Sequence, residues 1–248
     1  MNDYSFFHLS SRCYINQPVS RNMLFTHAEL GSKDKKLITD TVSSLTLLFN
    51  VSPQTINLQP YKDSEREYTE IQIIEVTLLE DKSVGCIAEL LMHAIPYPSL
   101  LVFRLRDMIQ LYGAHQRTNQ NDTALNVLEP FVKTSWLAED SPLFAKLDFT
   151  HFNTANCFTL YSDLLDTISV FVAEQLFYTA EYPVRPPLTG ETARDLIRAV
   201  DVLDKGIAEL RAKMKEETQF GAKAELNMHL QELIEKRKRM TGEKNVAK

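Results

Sequence analysis

The sequence lacks the short motifs that identify the commonest enzyme classes. It contains no phosphate-binding GxxxxGK[ST], no dinucleotide-binding GxGxxG, no zinc-protease HExxH and no hydrolase GxSxG. Its six histidines are scattered, and none is paired at the spacing of metal ligands. Nucleotide hydrolysis, dinucleotide binding and the commoner hydrolase mechanisms therefore have no support in the sequence, and no metal site is predicted from it.

Cysteines and long apolar stretches are also scarce. Cys13, Cys86 and Cys157 lie far apart and form no CxxC pair, which predicts buried free thiols in a reducing cytoplasm. No apolar run approaches the roughly 18 to 20 residues that a membrane-spanning helix needs. The N-terminus shows no basic segment followed by an apolar one. We therefore expect a cytoplasmic protein with no membrane span and no secretory signal.

The composition is that of a chain that buries a core, with 44% hydrophobic and 24% charged residues. The net charge is −6 and is unevenly distributed, because residues 191–248 contain 13 Lys/Arg and 11 Asp/Glu, which leaves 14 and 22 in residues 1–190. A non-specific nucleic-acid surface needs clustered cations. The acidic body argues against such a surface, although it is compatible with a local basic groove.

The stretch from Tyr68 to Trp136 predicts a β-α-β-β-β block, with a strand at 70–79, a helix at 83–94 and further strands at 99–105, 108–116 and 130–136. A strand, helix, strand order favours a parallel pair with a right-handed crossover. Apolar spacing predicts two more helices, at 32–49 and 155–177. The sequence thus predicts an α/β (α+β) body, residues 1–180, in which helices flank a small mixed sheet.

The last quarter of the chain has a different pattern. Residues 181–190 contain three prolines, cannot be helical, and are interpreted as a linker. Within residues 191–248, apolar residues separated alternately by four and three positions form a coiled-coil-like seam: Leu196, Val200, Leu203, Ile207, Leu210 and Met214. An apolar seam must be buried on another helix, on the body or on another protein. These six residues are therefore the candidate partner interface.

A second seam, formed by Leu226, Leu230 and Leu233, is out of register with the first. This break and Gly221 favour an antiparallel helical hairpin, joined near 218–222, over one continuous helix. Both arrangements are left open by the sequence.

Charged residues on the predicted strands provide the candidate chemistry. Nuclease-like enzymes hold Mg²⁺ with strand carboxylates and activate water with a nearby lysine. Glu70, Glu75 and Lys133 are the candidate catalytic residues of such a site, and Mg²⁺ is its cofactor; otherwise no cofactor is predicted. The candidate nucleic-acid-binding residues are Arg104, His115, Arg117, Lys236 and Arg237. The acid placed two residues before a lysine on one strand, which such nuclease cores use, is not seen.

Five segments are distinctive: YKDSEREYTEI (61–71), AIPYPSLLVF (94–103), AHQRTN (114–119), KTSW (133–136) and KEETQFGAKAELN (215–227). Together they resemble a bacterial family that is catalogued as a domain of unknown function, DUF4391. The resemblance covers nearly the whole chain, and the last segment is its most specific part. It implies a gene encoded beside DNA methyltransferases and DEAD/DEAH-box helicases, and so a role near restriction-modification or phage defence. The family offers no catalytic residues to transfer.

Two functions are compatible with these observations. The first is an accessory subunit of an anti-phage defence or restriction-modification system that docks on a helicase, on a DNA methyltransferase or on a second copy of itself, with DNA contacted through the complex. The alternative is a metal-dependent nucleic-acid-processing enzyme with its site on the sheet. The acidic body and the missing motifs favour the first.

Overall fold

The structure is a computed structural model that describes residues 4–27, 30–118, 126–177 and 188–241. The chain divides into two compact units, Met1–Ile168 and Ser169–Lys248. The linker predicted at 181–190 lies mostly outside the described residues. None of the described helices combines the length and the apolar composition that crossing a bilayer requires.

The first unit is mixed and the second is helical. The strands are β1 (Tyr14–Pro18), β2 (Val42–Val51), β3 (Tyr61–Lys62), β4 (Glu67–Tyr68), β5 (Ile71–Leu78), β6 (Ser99–Leu105), β7 (Met108–Gly113), β8 (Gln116–Thr118), β9 (Asn126–Leu128), β10 (Val132–Lys133) and β11 (Leu137–Ala138). The helices are α1 (Arg21–His27), α2 (Ser32–Thr41), α3 (Val84–Ala94), α4 (Pro142–Lys146), α5 (Cys157–Phe177), α6 (Gly190–Glu216) and α7 (Phe220–Thr241). The predicted α+β class is confirmed.

A seven-stranded mixed sheet has the order β1-β2-β5-β6-β7-β10, with β11 also pairing with β7. β5 and β6 are parallel and are joined through α3, as the β-α-β pattern predicts. β2 pairs antiparallel with β5, and β7 pairs antiparallel with β6. Two small hairpins, β3-β4 and β8-β9, stand outside this sheet. The sheet is larger than predicted because β1, β2 and β11 also join it.

The single helix predicted at 32–49 is wrong. α2 ends at Thr41, and β2 begins at Val42 and pairs with β5 along its length. The pairing register shifts twice within β2, and each extra residue of a bulge interrupts the two-residue alternation of a strand. The buried residues Val42, Leu45 and Leu48 therefore recur every three residues, which is a helical spacing. The favourable pairing with the apolar β5 overrides that local pattern.

Helices cover both faces of the sheet. On one face, buried residues of β5, β6 and α3 form a core that includes Val76, Phe103 and Leu91. On the other face lies the first part of α5, where the Tyr161 hydroxyl donates to the Ser99 carbonyl oxygen at 2.7 Å. The predicted helices at 83–94 and 155–177 correspond to α3 and α5, so the two helices that position the sheet were visible in the sequence.

The second unit contains α6 and α7 as an antiparallel pair. Asp204 and Arg237 are 33 positions apart, yet the Arg237 Nε lies 2.6 Å from the Asp204 Oδ1. A continuous helix would separate those residues by about 50 Å, so the hairpin interpretation is confirmed. Ala173, from the last turns of α5, packs with Ala193 and Val200 of α6.

Candidate functional site

Glu75, a candidate catalytic residue, lies in a buried ion-pair network. It is on β5 and faces Arg104 on β6, with an Arg104 Nε to Glu75 Oε2 distance of 3.5 Å. Only 12% and 9% of these side chains are exposed. The Tyr4 hydroxyl donates to Glu75, and Arg104 NH1 donates to Glu139. The carboxylate proposed to hold a metal is thus bonded to a cation and a phenol.

The electrostatics of this network keep Tyr4 neutral and Arg104 charged. Burial, together with the hydrogen bond to Glu75, raises the pKa of Tyr4 well above its ordinary value, so this residue remains a neutral donor. Burial by itself lowers the pKa of Arg104, but hydrogen bonds to Glu139 and Tyr4 more than offset that effect. Arg104 is therefore permanently charged although it is buried, and Glu75 serves to compensate for that charge.

The other candidate catalytic residues are not brought to Glu75. Lys133 lies on β10 and pairs with Tyr112 of β7, so β6 and β7 separate it from β5. Three strand spacings amount to about 14 Å. Glu70 precedes β5 and accepts a hydrogen bond from Gln72 Nε2 at 2.8 Å. Among the residues that the structure describes, no three His, Cys, Asp or Glu side chains are grouped so as to hold a metal ion.

A second polar cluster surrounds His115, between β7 and β8. The His115 Nδ1 lies 3.1 Å from the Tyr68 hydroxyl, which also accepts from the Gln116 backbone N–H at 2.9 Å. The His115 ring centroid lies 5.1 Å from that of Phe158, and its Nε2 lies 3.5 Å from the Ser162 Oγ. Burial raises the pKa of Tyr68 to about 12. The imidazole is therefore held in one orientation by the Phe158 ring and by the hydroxyl groups of Tyr68 and Ser162.

Next to His115, two arginines share one carboxylate. Arg66 NH2 lies 2.6 Å and Arg117 Nε 3.4 Å from the Glu129 Oε1. Arg66 NH1 also lies 3.5 Å from Glu65 and 4.0 Å from Asp63. Three carboxylates therefore surround two cations, and the cluster is not net basic. Its ion pairs connect the β3-β4 hairpin to the β8-β9 hairpin.

The candidate nucleic-acid-binding residues do not form one surface. His115 and Arg117 share the cluster just described, whereas Arg104 belongs to the buried network with Glu75. Lys236 and Arg237 are on α7 in the second unit. There Lys236 is exposed, and Arg237 is bound to Asp204.

The candidate partner interface is largely internal. Val200, Leu203 and Ile207 are buried, and the other three seam residues, Leu196, Leu210 and Met214, are partly buried. Val200 packs in a cluster that includes Ala173. The inward-facing seam of α7 is likewise covered, with Leu230 buried. The heptad pattern thus predicted correctly which residues are buried, but what buries the seam is the packing of the second unit.

The opposite face of α7 carries apolar residues that no other part of the described chain covers. Phe220 is 88% exposed and Met228 is 67% exposed, and Ala224, between them, is also exposed. We call Phe220, Ala224 and Met228 the outer stripe. Their spacing of four residues places them on one helical face, away from Leu226, Leu230 and Leu233. The sequence contained this spacing, but the predicted turn at 218–222 assigned Phe220 to a loop, whereas α7 begins at that residue.

Comparison with known proteins identifies a family and nothing more specific. A family model described as Domain of unknown function (DUF4391) matches residues 7–236 and so extends over both units. No curated protein and no solved structure gives a significant match.

Proposed function

The chain belongs to the DUF4391 family, a domain of unknown function. We propose that it is an accessory interaction subunit of a bacterial anti-phage defence or restriction-modification system. In this proposal it docks on a helicase, on a DNA methyltransferase or on a second copy of itself. The defence setting is supported by the family resemblance, and the docking role is supported by the arrangement of the second unit.

The outer stripe is the observation that carries the docking role. A helix in a soluble protein normally presents polar residues on the face opposite its buried one. α7 instead exposes a phenylalanine and a methionine two turns apart, about 12 Å along its axis. Apolar anchors at this spacing are the means by which a helix is recognised by a groove or by another helix, and aromatic and methionine side chains are enriched at protein interfaces.

No comparable observation favours the nuclease-like alternative. Glu75 is bound to Arg104 and Tyr4, and Lys133 lies three strands from Glu75. The function that uses exposed groups therefore has the better support.

The test is direct binding to the purified products of the neighbouring genes, measured by size-exclusion chromatography with light scattering. We expect the wild-type chain to form a complex and the Phe220→Ser variant not to do so. Val202→Ser is the matched control, because Val202 is 69% exposed but lies on α6, outside the outer stripe. The proposal is overturned if Phe220→Ser binds as tightly as wild type, or if the chain binds neither a helicase, nor a methyltransferase, nor itself. Leu203→Glu is unsuitable, because Leu203 is buried and its loss would disturb packing.

A further inference from the structure

The outer stripe has the form of a self-complementary surface. In a parallel pair of α7 helices related by a two-fold axis, each stripe residue meets the same residue of the second copy. Phe220 then packs on Phe220 and Met228 on Met228. The small Ala224 lies between these layers, where it allows the backbones to approach. Gly221 is also uncovered, since an added Cβ there would meet no atom within 4 Å, so a second helix has room to approach.

Charges beside the stripe select this parallel arrangement. Lys223 and Glu225 precede and follow Ala224, and residues two apart on a helix point to opposite sides. Among the described residues, neither side chain takes part in an ion pair. In a parallel two-fold pair, opposite flanks meet, so that Lys223 of each copy faces Glu225 of the other. In an antiparallel pair, identical flanks meet, and the same residues would repel each other.

We propose that the outer stripe binds a second copy of this chain, with the two α7 helices parallel and with Lys223 of each copy paired with Glu225 of the other. The inference rests on the proposed function, since it names the partner that occupies the docking surface. Four apolar side chains of roughly 150 Å² each cover about 600 Å² in total, which is less than the roughly 1,200 Å² of a stable complex. The dimer is therefore concentration-dependent.

The experiment is sedimentation velocity on the full chain at low salt, from about 1 to about 200 µM, a range that brackets a micromolar Kd. Wild type is expected to shift from monomer to dimer, and Phe220→Ser to remain monomeric at every concentration. Circular dichroism and thermal unfolding of Phe220→Ser should match wild type because the side chain is exposed. A wild-type chain that stays monomeric at the highest concentration overturns the inference.

Charge reversal tests the orientation. Lys223→Glu places two acids opposite each other, and Glu225→Lys places two lysines opposite each other, so each variant should dimerise about five- to tenfold more weakly. When the two variants are mixed, both contacts become attractive and a heterodimer of wild-type affinity should form. Lys205→Glu, an exposed reversal on α6, is the matched control. Single reversals that leave self-association unchanged overturn the parallel arrangement.

Failure of this inference is distinguishable from failure of the proposed function. A chain that stays monomeric, yet loses binding to a purified methyltransferase or helicase in Phe220→Ser, overturns the self-association and supports the docking role. A chain that associates with itself equally well in wild type and Phe220→Ser overturns self-association through the outer stripe. If Phe220→Ser also binds the methyltransferase or helicase as tightly as wild type does, the docking role of the stripe is overturned as well.

Discussion

Arg104 places a full positive charge inside the first unit, where only 9% of its side chain is exposed. A buried cation is costly unless carboxylates and hydrogen bonds compensate for its lost hydration. Glu75, itself largely buried, and Glu139, which is 58% exposed, supply the compensation. At the scale of single residues, Glu75 and Glu139 thus compensate for the charge of Arg104.

The two carboxylates should contribute unequally to stability. Glu75→Gln removes the buried partner of Arg104, and we expect the free energy of unfolding to fall by about 3 kcal/mol. Glu139→Gln should cost less than about 1 kcal/mol, because an ion pair with an exposed partner is screened by solvent. Urea unfolding of the two variants measures the difference. Equal losses would mean that Glu75 is not the main compensation for Arg104.

Stability should fall at alkaline pH through the buried tyrosines. The pKa of Tyr68 is raised from 10.0 to about 12 by burial, so the folded chain holds this proton more tightly than the unfolded chain does. Its contribution is complete below pH 10 and is lost as the pH rises from 10 to about 12. The loss for this one group is on the order of 3 kcal/mol.

Chemical unfolding between pH 8 and 12 measures this dependence. Tyr68→Phe should have a shallower decline than wild type, since one ionisable group is removed. Tyr14→Phe, at a tyrosine that is 46% exposed, is the matched control. A decline with the same slope in Tyr68→Phe and in wild type would rule out Tyr68 as a cause.

At the scale of elements, the contact between β7 and α5 depends on a missing side chain. A Cβ on Gly113 would lie 2.4 Å from Leu165 Cδ2 and 3.3 Å from the Tyr161 hydroxyl. Gly113→Ala should therefore lower the free energy of unfolding by about 2 kcal/mol through overpacking. Thermal unfolding measures this loss of stability. If the added methyl group clashes with Leu165, Leu165→Val in the Gly113→Ala background should restore part of the lost stability.

Gly221→Ala is the matched control for Gly113→Ala. It meets no atom within 4 Å and lies near the start of α7, where alanine is the better helix former. We expect no loss of stability there. If the two variants lost equal amounts of stability, the loss in Gly113→Ala could not be attributed to a clash with Leu165.

Sequence patterns were reliable where an element has one periodicity and one buried face. The helical spacing at 83–94 and the inward seams of the hairpin correctly identified α3, α6 and α7. The pattern misled at 42–51 because two bulges give β2 the spacing of a helix. The sequence pattern also located Glu75 and Arg104 but not the residues that they bind. Tyr4 is 71 positions from Glu75, and Glu139 is 35 positions from Arg104, so no local pattern connects the partners.

At the scale of the whole molecule, the heptad seam of residues 196–214 could be buried either within the chain or by a partner. A heptad seam predicts burial but does not say whether the chain or a partner provides it. The structure answers this for Val200 and Leu203, which are buried within the second unit. For that reason our proposal assigns the docking role to the outer stripe. The family match extends over both units.

Amide hydrogen exchange of the full chain, measured at about 1 µM and about 200 µM, tests most directly whether the outer stripe is an interaction surface. We predict that exchange slows at the higher concentration over residues 220–228, and that this slowing is absent in Phe220→Ser. Slowing confined to α6 or to the first unit, or exchange that is the same at both concentrations, would contradict the self-associating stripe.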